Sequence, residues 1–582
     1  MKQFLKMVLA VIVGLIVVSV FSSLLCMAVI GAVAAVGSGT AVVPSSCVLT
    51  LDMSNTLVAE QASPEFDVQS IAGGTGVATV GLWDAVQALN AAAADPAVKM
   101  VYLKTDGALS SIATMQELRR SLAKFRESGK PVISYIESPT TGTYYLASVA
   151  DKVYMTSHPG ATTMVNGVGS QMIFLKDLLD KLGVNVQLIR HGKYKSAGEM
   201  YTRNQASPEN LEQYQVMVNS MWASLSSEIA QSRGISVEAL NDAIDNLKLC
   251  IPSDYLECGL VDALFNRDQL EEKIADLAVA GSFKNVKTIS LADYASAKVL
   301  PSKARKQIAV VYADGEIVDG KGLQEVAGDR FASVIRKLRT DESVKAVVLR
   351  VNSPGGSVLA SEKIKHEIDS LRVIKPVIAS YGDYAASGGY WISNNCDKIF
   401  TDAVTLTGSI GVFGMIPDLS KTLKDVAHVN ITSVTSNAHG DMFSLMRPFD
   451  QAEYNYMLRS IEDIYDRFTT IVSEGRGIEK ETVDEIGQGR VWTGSDAMGI
   501  NLVDEIGTLE DAIHYAAVSC GDADIANWKV EGYPKPLTTM EQLMSLISGT
   551  SLDEEQILLK SFGDLGKSKV VARLPYEIEL SY

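Results

Sequence analysis

Histidine and cysteine are both scarce in this chain, with 6 of each among 582 residues. The cysteines lack the short paired spacings that are typical of zinc sites, so the sequence predicts no metal site. Cys250 and Cys258 could form a disulfide in an oxidising compartment, but we expect two separate buried thiols. The few histidines form no Ser-His-Asp pattern, which disfavours a histidine-based triad.

Basic charge is also in short supply, since 52 lysines and arginines stand against 69 acidic residues, a net charge of −17. Nucleic acids and anionic membrane surfaces both require clustered basic side chains. The composition therefore excludes nucleic acid as the main ligand. At 47% hydrophobic residues the chain is too apolar for disorder, and its length predicts two or more globular units.

Charge is absent altogether between Lys6 and Asp52, where an apolar stretch exceeds the roughly 20 residues that span a bilayer. We predict a transmembrane anchor over residues 7–37, between a cytoplasmic segment 1–6 and a linker 38–46. The positive-inside rule then places the remaining chain outside the cytoplasmic membrane, in the periplasm if the cell has an outer membrane. A cleaved signal peptide is the alternative, but its apolar core would be far shorter.

The chain repeats itself with a period near 246 residues. "AVKMVYLKTDG" is matched by "SVKAVVLRVNS", "KPVISY" by "KPVIAS", and "ADKVYM" by "CDKIFT". Both copies alternate apolar strands with amphipathic helices, a pattern typical of βα units around a mostly parallel sheet. The sequence predicts two homologous α/β domains, residues 47–295 and 306–530, followed by a tail, 531–582.

The two copies differ where chemistry would be expected. "AASGGYW" in the second copy places Ser387 opposite Thr141 of "PTTGTYYL" in the first. "GKYKSAGE" in the first copy places Lys195 opposite Gly440 of the second. A serine hydroxyl needs a base and oxyanion-stabilising donors to become a nucleophile. The glycines of "SPGGS" could bring the N–H of Gly356 to a substrate carbonyl, although each glycine-rich stretch alone is more simply explained as a turn or as close helix packing.

"VNSPGGSV", "AASGGYWIS" and "LTGSIGVFG", together with "GKYKSAGE", the duplication and the anchor, resemble the signal peptide peptidase A (protease IV) family across almost the whole chain. The resemblance implies tandem ββα-superhelix domains like those of the Clp protease and the crotonases. It also implies a Ser/Lys dyad, with Ser387 as nucleophile and Lys195 as general base. Ser409 would orient the lysine, and Gly356 and Gly388 would supply the oxyanion donors.

Other residues are candidates for the same roles. A lysine with a pKa near 10.4 cannot accept a proton at neutral pH, so Lys195 must be buried. Lys193 is a second candidate lysine and is more simply explained as a surface residue. The rival candidates are the histidines and strand-end carboxylates His191, His439, Asp106 and Asp314.

The resemblance implies a membrane-anchored serine endopeptidase that degrades cleaved signal peptides and other apolar peptides without a metal, nucleotide or other cofactor. It also implies a homo-oligomeric bowl, tetrameric in two-repeat members. The sequence leaves open whether the dyad forms within one chain or between chains. A crotonase-like acyl-CoA enzyme and a non-catalytic peptide-binding scaffold are the alternatives.

Overall fold

The computed structural model describes residue 14 and residues 41–62, 77–108, 110–323, 325–536, 570–573 and 580–581. Within these ranges, no helix combines the length and the apolar character that crossing a membrane requires. The predicted anchor, residues 7–37, lies outside the described residues except for Gly14. Much of the predicted tail, 531–582, also lies outside them.

The first repeat is built around a parallel sheet with the strand order β10-β1-β4-β5-β6-β9. Its strands are β1 (Cys47–Asp52), β2 (Thr56–Ala59), β3 (Ala78–Gly81), β4 (Val98–Lys104), β5 (Val132–Ile136), β6 (Lys152–Thr156), β7 (Gly169–Ser170), β8 (Asn185–His191), β9 (Ala263–Phe265) and β10 (Thr288–Ser290). Its helices are α1 (Leu82–Ala94), α2 (Ile112–Arg126), α3 (Thr141–Ala147), α4 (Lys176–Leu182), α5 (Glu199–Thr202), α6 (Pro208–Arg233), α7 (Val237–Asp245), α8 (Pro252–Glu257), α9 (Arg267–Leu277) and α10 (Leu291–Lys298).

The second repeat has a corresponding sheet in the order β20-β18-β16-β14-β11-β22, with β17 also paired to β16 and β21 to β17. Its strands are β11 (Lys306–Asp314), β12 (Ile317–Val318), β13 (Val326–Ala327), β14 (Val344–Ser353), β15 (Gly355–Ser357), β16 (Val377–Ala386), β17 (Lys398–Thr401), β18 (Leu406–Gly408), β19 (Val412–Asp418), β20 (Val491–Thr493), β21 (Glu505–Ile506) and β22 (Trp528–Tyr533). Its helices are α11 (Gly328–Thr340), α12 (Val358–Arg372), α13 (Gly388–Ser393), α14 (Gln451–Arg476), α15 (Lys480–Ile486), α16 (Gly494–Gly499) and α17 (Leu509–Ser519). Two short tail strands follow, β23 (Val570–Arg573) and β24 (Leu580–Ser581).

The same buried hydrogen bonds recur in both repeats. The hydroxyl of Tyr144 donates to the carbonyl of Leu260 at 2.6 Å, and that of Tyr390 donates to the carbonyl of Leu502 at 2.8 Å. Each tyrosine lies in the short helix, α3 or α13, that follows a central strand of its repeat. Both rings are fully buried. Matching contacts at matching positions confirm the tandem α/β duplication predicted from sequence.

The helices begin where the sequence supplies capping side chains. Ser207 accepts a hydrogen bond from the N–H of Asn210 at the start of α6, and Asp450 accepts one from Glu453 at the start of α14. Both 26-residue helices end at a left-handed glycine, Gly234 or Gly477. Such caps satisfy backbone groups that the helix itself leaves unpaired.

The two repeats are joined by a pair of strands, one from each repeat. β8 of the first repeat runs antiparallel to β19 of the second, with His191 opposite Val412 and Asn185 opposite Asp418. A buried ion network also crosses the junction, since Arg350 contacts Glu60 at 2.7 Å and Glu117 at 2.6 Å. The pairing of β8 with β19 places the segment that follows β8 against the second repeat.

The described cysteines are free thiols, as predicted, so Cys250 and Cys258 are not bridged. The expectation that both thiols are buried was wrong, because Cys250 is exposed and Cys258 is half-buried. Cys250 lies in the turn before α8, where its N–H donates to the side chain of Asp254, and this turn is at the surface.

Candidate active site

Ser387 occupies a strained turn between strand β16 and helix α13. Its backbone has φ 55° and ψ −112°, a region that non-glycine residues rarely adopt and that occurs at functional sites. Its N–H donates to the carbonyl of Gly408 at 2.9 Å, and its own carbonyl accepts from the N–H of Trp391 at 2.8 Å. The turn therefore holds the serine at the carboxyl end of a central strand, a common position for reactive groups in parallel sheets.

The glycines after Ser387 are required by close backbone packing. A Cβ on Gly388 would lie 2.8 Å from the hydroxyl of Ser361 and 3.1 Å from the amide nitrogen of Gly356. A Cβ on Gly389 would lie 2.7 Å from the carbonyl of Ser353. The "SGG" sequence thus allows the start of α13 to contact the glycine-rich strand β15.

Lys195 reaches this serine from the first repeat of the same chain. Its Nζ lies 2.9 Å from the Oγ of Ser387, 2.9 Å from the Oγ of Ser409 and 3.2 Å from the carbonyl oxygen of Ser409. All three residues are fully buried. The structure therefore brings together three residues that the sequence analysis singled out, two of them more than 190 positions apart.

Burial lowers the pKa of Lys195 well below its ordinary value. The three groups that its Nζ contacts are neutral oxygens, and the ring of Phe413 lies 6.0 Å from it. An ammonium ion in such surroundings loses most of its hydration. The neutral amine, which can accept a proton from a hydroxyl, is the form that this environment favours.

Several residues that the sequence analysis missed hold Lys195 in place. A Cβ on Gly489 would lie 2.5 Å from the Cβ of Lys195, and one on Gly411 would lie 3.3 Å from its Cδ. Arg190 donates to the carbonyl of Lys195 at 2.7 Å, and Gln213 donates to the carbonyl of Tyr194 at 3.1 Å. The motif "GQGR" could have singled out Gly489. Nothing in the local sequence, however, connects this glycine to a lysine nearly 300 positions earlier.

Gly356 and Gly388, predicted as oxyanion donors, lie next to each other beside Ser387. Gly356 has φ 151°, and a Cβ there would lie 2.0 Å from the carbonyl oxygen of Ile317. No other residue type fits at this position without moving β12. Ser409 also has a positive φ, 49°, and its N–H donates to the carbonyl of Arg490 at 2.7 Å.

The rival bases have other partners. Lys193 is exposed, with its Nζ 5.1 Å from the ring centroid of Tyr194. His191 stacks on Tyr465 with ring centroids 3.9 Å apart. His439 contacts Glu453 at 3.0 Å and Asp450 at 3.8 Å. His439, Asp450 and Glu453 could share a cation, but Arg447 already contacts Glu453 at 2.7 Å.

The two strand-end aspartates accept hydrogen bonds from backbone N–H groups and from a side-chain amide. Asp106 accepts hydrogen bonds from the N–H groups of Glu137 and Ser138. Asp314 accepts one from the side chain of Asn352, and burial raises its pKa to about 6. In the first repeat, Thr141 accepts hydrogen bonds from two backbone N–H groups, so its hydroxyl has a structural role.

The tail strand β23 lies between β15 and β19, the two strands that flank the candidate site. β23 runs antiparallel to β15, with Ala572 opposite Gly356, and antiparallel to β19, with Val571 opposite Phe413. One neighbour therefore carries Gly356, a predicted oxyanion donor, and the other carries Phe413, whose ring centroid lies 6.0 Å from the Lys195 amine. The backbone of β23 therefore runs between these two strands, beside the candidate site.

Comparison with known proteins gives a consistent picture. The family model described as peptidase family S49 matches residues 124–280 and 370–521, one segment in each repeat. "Protease 4" of Haemophilus influenzae is 35% identical over 83% of this chain and 80% of its own length. "Protease 4" of Salmonella typhi is 36% identical over 75% and 71%. "Serine protease SPPA, chloroplastic" of Arabidopsis thaliana is 29% identical over 80% and 70%.

Among solved structures, a point mutant of ClpP1 from Listeria monocytogenes aligns over 35% of this chain and 94% of its own. The identity is 17% and the TM-score is 0.24, a similarity too low to support an argument.

Proposed function

Because the chain belongs to peptidase family S49 and is a serine protease of that family, we propose that it is a membrane-anchored endopeptidase with a Ser387/Lys195 dyad. The observation that carries the proposal is the 2.9 Å contact between the Lys195 amine and the Ser387 hydroxyl in a fully buried setting. We further propose that the substrates are cleaved signal peptides and other apolar peptides. The predicted anchor and the resemblance to signal peptide peptidases support this substrate class.

The reaction begins when Ser387 Oγ attacks the scissile carbonyl and its proton passes to the neutral amine of Lys195. The N–H groups of Gly356 and Gly388 stabilise the oxyanion that forms. The new ammonium donates its proton to the leaving amine, the C–N bond breaks, and an acyl-enzyme remains. Water then attacks the ester, giving a proton to the same lysine, and the second product leaves as a carboxylic acid while Ser387 regains its proton.

The groove beside β15 supports an extended, strand-like substrate. β23 already forms backbone pairs with β15 and β19 there, and such pairs bind a peptide largely independently of its sequence. Phe413 adds an apolar surface next to the reacting atoms. An enzyme that removes varied apolar peptides requires this combination of backbone recognition and apolar side chains.

The proposed setting is a single-pass protein of the cytoplasmic membrane whose repeats lie on the outer side, assembled as a homo-oligomer, with a tetramer implied by the family resemblance. Placement next to the membrane would let apolar peptides enter the groove from the bilayer. Neither a nucleic acid nor a metal is needed for the proposed steps.

Labelling with a fluorophosphonate probe tests the proposal directly. The full chain should be labelled at Ser387 and should cleave a synthetic apolar signal peptide, while Ser387→Ala should abolish labelling and lower turnover by roughly 10³-fold or more. Thr141→Ala, at the equivalent position of the first repeat, is the matched control and should retain labelling. Unchanged cleavage by Ser387→Ala would overturn the dyad, and an absence of any peptide turnover would favour a peptide-binding scaffold or an acyl-CoA enzyme.

A further inference from the structure

The turn formed by residues 487–490 lies against the proposed base and has an unusual backbone. Gln488 has φ 52° and Gly489 has φ 84°, so two consecutive residues adopt the left-handed region. That region is costly for a glutamine, and a residue held in it persists only where several contacts fix it. The neighbours of this turn are therefore the residues that determine where it lies.

The turn contacts both Lys195 and the serine that lies beside its amine. A Cβ on Gly489 would lie 2.5 Å from the Cβ of Lys195. The N–H of Gly489 donates to the carbonyl of Ile410 at 2.7 Å, and the N–H of Ser409 donates to the carbonyl of Arg490 at 2.7 Å. Because the turn packs on the lysine and is hydrogen-bonded to the segment of Ser409, a displaced turn would move the amine relative to the nucleophile.

The backbone of Gln488 connects the lysine to helix α14. Its carbonyl accepts a hydrogen bond from the N–H of Tyr194 at 3.0 Å, and Tyr194 is the residue before Lys195. Its N–H donates to the hydroxyl of Tyr465 at 3.1 Å. One hydrogen bond of Gln488 therefore holds the segment that carries the base, and the other holds Gln488 itself on α14.

Tyr465 is oriented to accept that hydrogen bond. It is 5% exposed, and its hydroxyl donates to Oδ1 of Asp484, on α15, at 2.6 Å. Burial raises the pKa of the Tyr465 hydroxyl, so the hydroxyl keeps its proton, directs it at the carboxylate and presents a lone pair to the N–H of Gln488. Its ring also stacks on His191, at the end of β8, with the ring centroids 3.9 Å apart.

We propose that Tyr465 is a positioning residue for the Lys195 base. Its hydroxyl, oriented by Asp484, fixes the turn at Gln488, and the turn keeps the lysine amine next to Ser387. This role rests on the proposed Ser387/Lys195 dyad and extends it to a side chain that acts through the turn. A tyrosine that only stabilised the fold would affect the unfolding temperature, but it would not set the pKa of Lys195 or the rate of the chemical step.

Tyr465→Phe tests the role, because it retains the ring that stacks on His191 and removes only the hydroxyl. The N–H of Gln488 then loses its acceptor, the turn relaxes, and the amine of Lys195 becomes more accessible to water. We expect kcat for a synthetic apolar signal peptide to fall by roughly 10- to 100-fold, with KM little changed. Since less burial allows the pKa of Lys195 to rise towards its ordinary value, the midpoint of the pH–rate profile should move to higher pH.

Control substitutions separate the role of this hydroxyl from a general loss of stability. Tyr144→Phe removes another buried tyrosine hydroxyl, which donates to the carbonyl of Leu260 at 2.6 Å in the first repeat. It should lower the unfolding temperature, as Tyr465→Phe should, but leave kcat and the midpoint unchanged. Asp484→Asn keeps an acceptor for the tyrosine proton and should retain most activity. Asp484→Ala should show the same changes as Tyr465→Phe to a smaller extent, because the hydroxyl is no longer oriented.

Fluorophosphonate labelling of Ser387, measured in the full chain over the same pH range, separates this role from the dyad. If the wild type is labelled and Tyr465→Phe has the same midpoint and kcat, the positioning role is overturned and the dyad stands. A higher KM with unchanged kcat would also overturn it, since the hydroxyl would then act on substrate binding. No labelling of the wild type would overturn the dyad and this role with it. Should Tyr465→Phe fail to fold, a midpoint shifted in Asp484→Ala but not in Asp484→Asn supports the role, and equal midpoints contradict it.

Discussion

At the scale of single residues, the proposed dyad depends on one buried amine. The pKa of Lys195 is held well below its ordinary value by burial, and only the neutral amine can accept the serine proton. Peptide turnover should therefore rise with pH and level off once Lys195 is deprotonated, with a midpoint below the ordinary lysine pKa of 10.5. Lys195→Arg should be inactive across the same range, because a guanidinium does not deprotonate in proteins. A pH–rate profile that falls over the neutral range would contradict this role for the lysine.

Gly489 provides a second test at this scale, because its backbone lies against the base. A Cβ there would lie 2.5 Å from the Cβ of Lys195, and its φ is 84°. Gly489→Ala should displace the amine from Ser387 and lower kcat/KM by about 10²-fold, the usual effect of misplacing a reacting group by about 1 Å.

Gly129→Ala is the matched control for this substitution. Gly129 has φ 81°, and a Cβ added there would meet nothing within 4 Å, so the change carries the same backbone strain without a clash. Thermal unfolding should show a smaller loss of stability for Gly129→Ala, which lacks the clash, and turnover should be lost only at Gly489. Equal turnover by the two variants would show that the glycine does not position the lysine.

At the scale of elements, the tail strand β23 should compete with substrate. It lies between β15 and β19 beside the candidate site, and a tethered segment competes at a high effective concentration. Deleting residues 570–582 should lower KM for a short apolar peptide several-fold with little change in kcat. Deleting only residues 574–582, which preserves β23, should leave KM unchanged. A raised KM after the longer deletion would show that β23 builds the groove and does not block it.

The βα units of both repeats could be predicted from sequence because each strand and helix depends on a local pattern. "KPVISY" and "KPVIAS" correspond to strands β5 and β16, and two predicted amphipathic helices correspond to α2 and α12. The pairing of Ser387 with Lys195 required a different argument, namely that each copy lacks the residue the other has. Comparing the repeats showed that difference, and the resemblance to the signal peptide peptidase A family implied that the two residues form a dyad.

The contacts between distant elements could not be predicted. β8 and β19 are more than 220 positions apart, and their register depends on how the two sheets pack. The approach of Gly489 to Lys195 follows from that packing, as does the position of β23. The exposure of Cys250 depends on a surface turn that composition does not reveal.

At the scale of the whole molecule, a buried ion network fixes the repeats against each other. Arg350 bonds to Glu60 and Glu117, and Glu117 also accepts from the N–H of Leu509. Removing one member of a buried pair leaves the others without a counter-charge, which costs about 3–5 kcal/mol. Arg350→Met should lower the free energy of unfolding by that amount in urea denaturation.

Two controls define that result. Arg267→Met removes a surface pair with Glu271, in which the arginine side chain is 86% exposed, and should leave the urea midpoint unchanged. Adding Glu60→Gln and Glu117→Gln to Arg350→Met removes the buried charges and should recover part of the lost stability. A small effect of Arg350→Met alone would mean that water reaches the network.

The junction within one chain also decides how mutant chains behave when mixed. Because Lys195 and Ser387 meet through β8 and β19 of the same chain, a chain with Lys195→Ala and one with Ser387→Ala each contain a broken dyad. If the two chains co-assemble in the proposed homo-oligomer, the mixture should show no more turnover than either parent. Oligomers of wild-type and doubly substituted chains should retain activity in proportion to the wild-type share. Recovery in the first mixture would show that Lys195 of one chain reaches Ser387 of another.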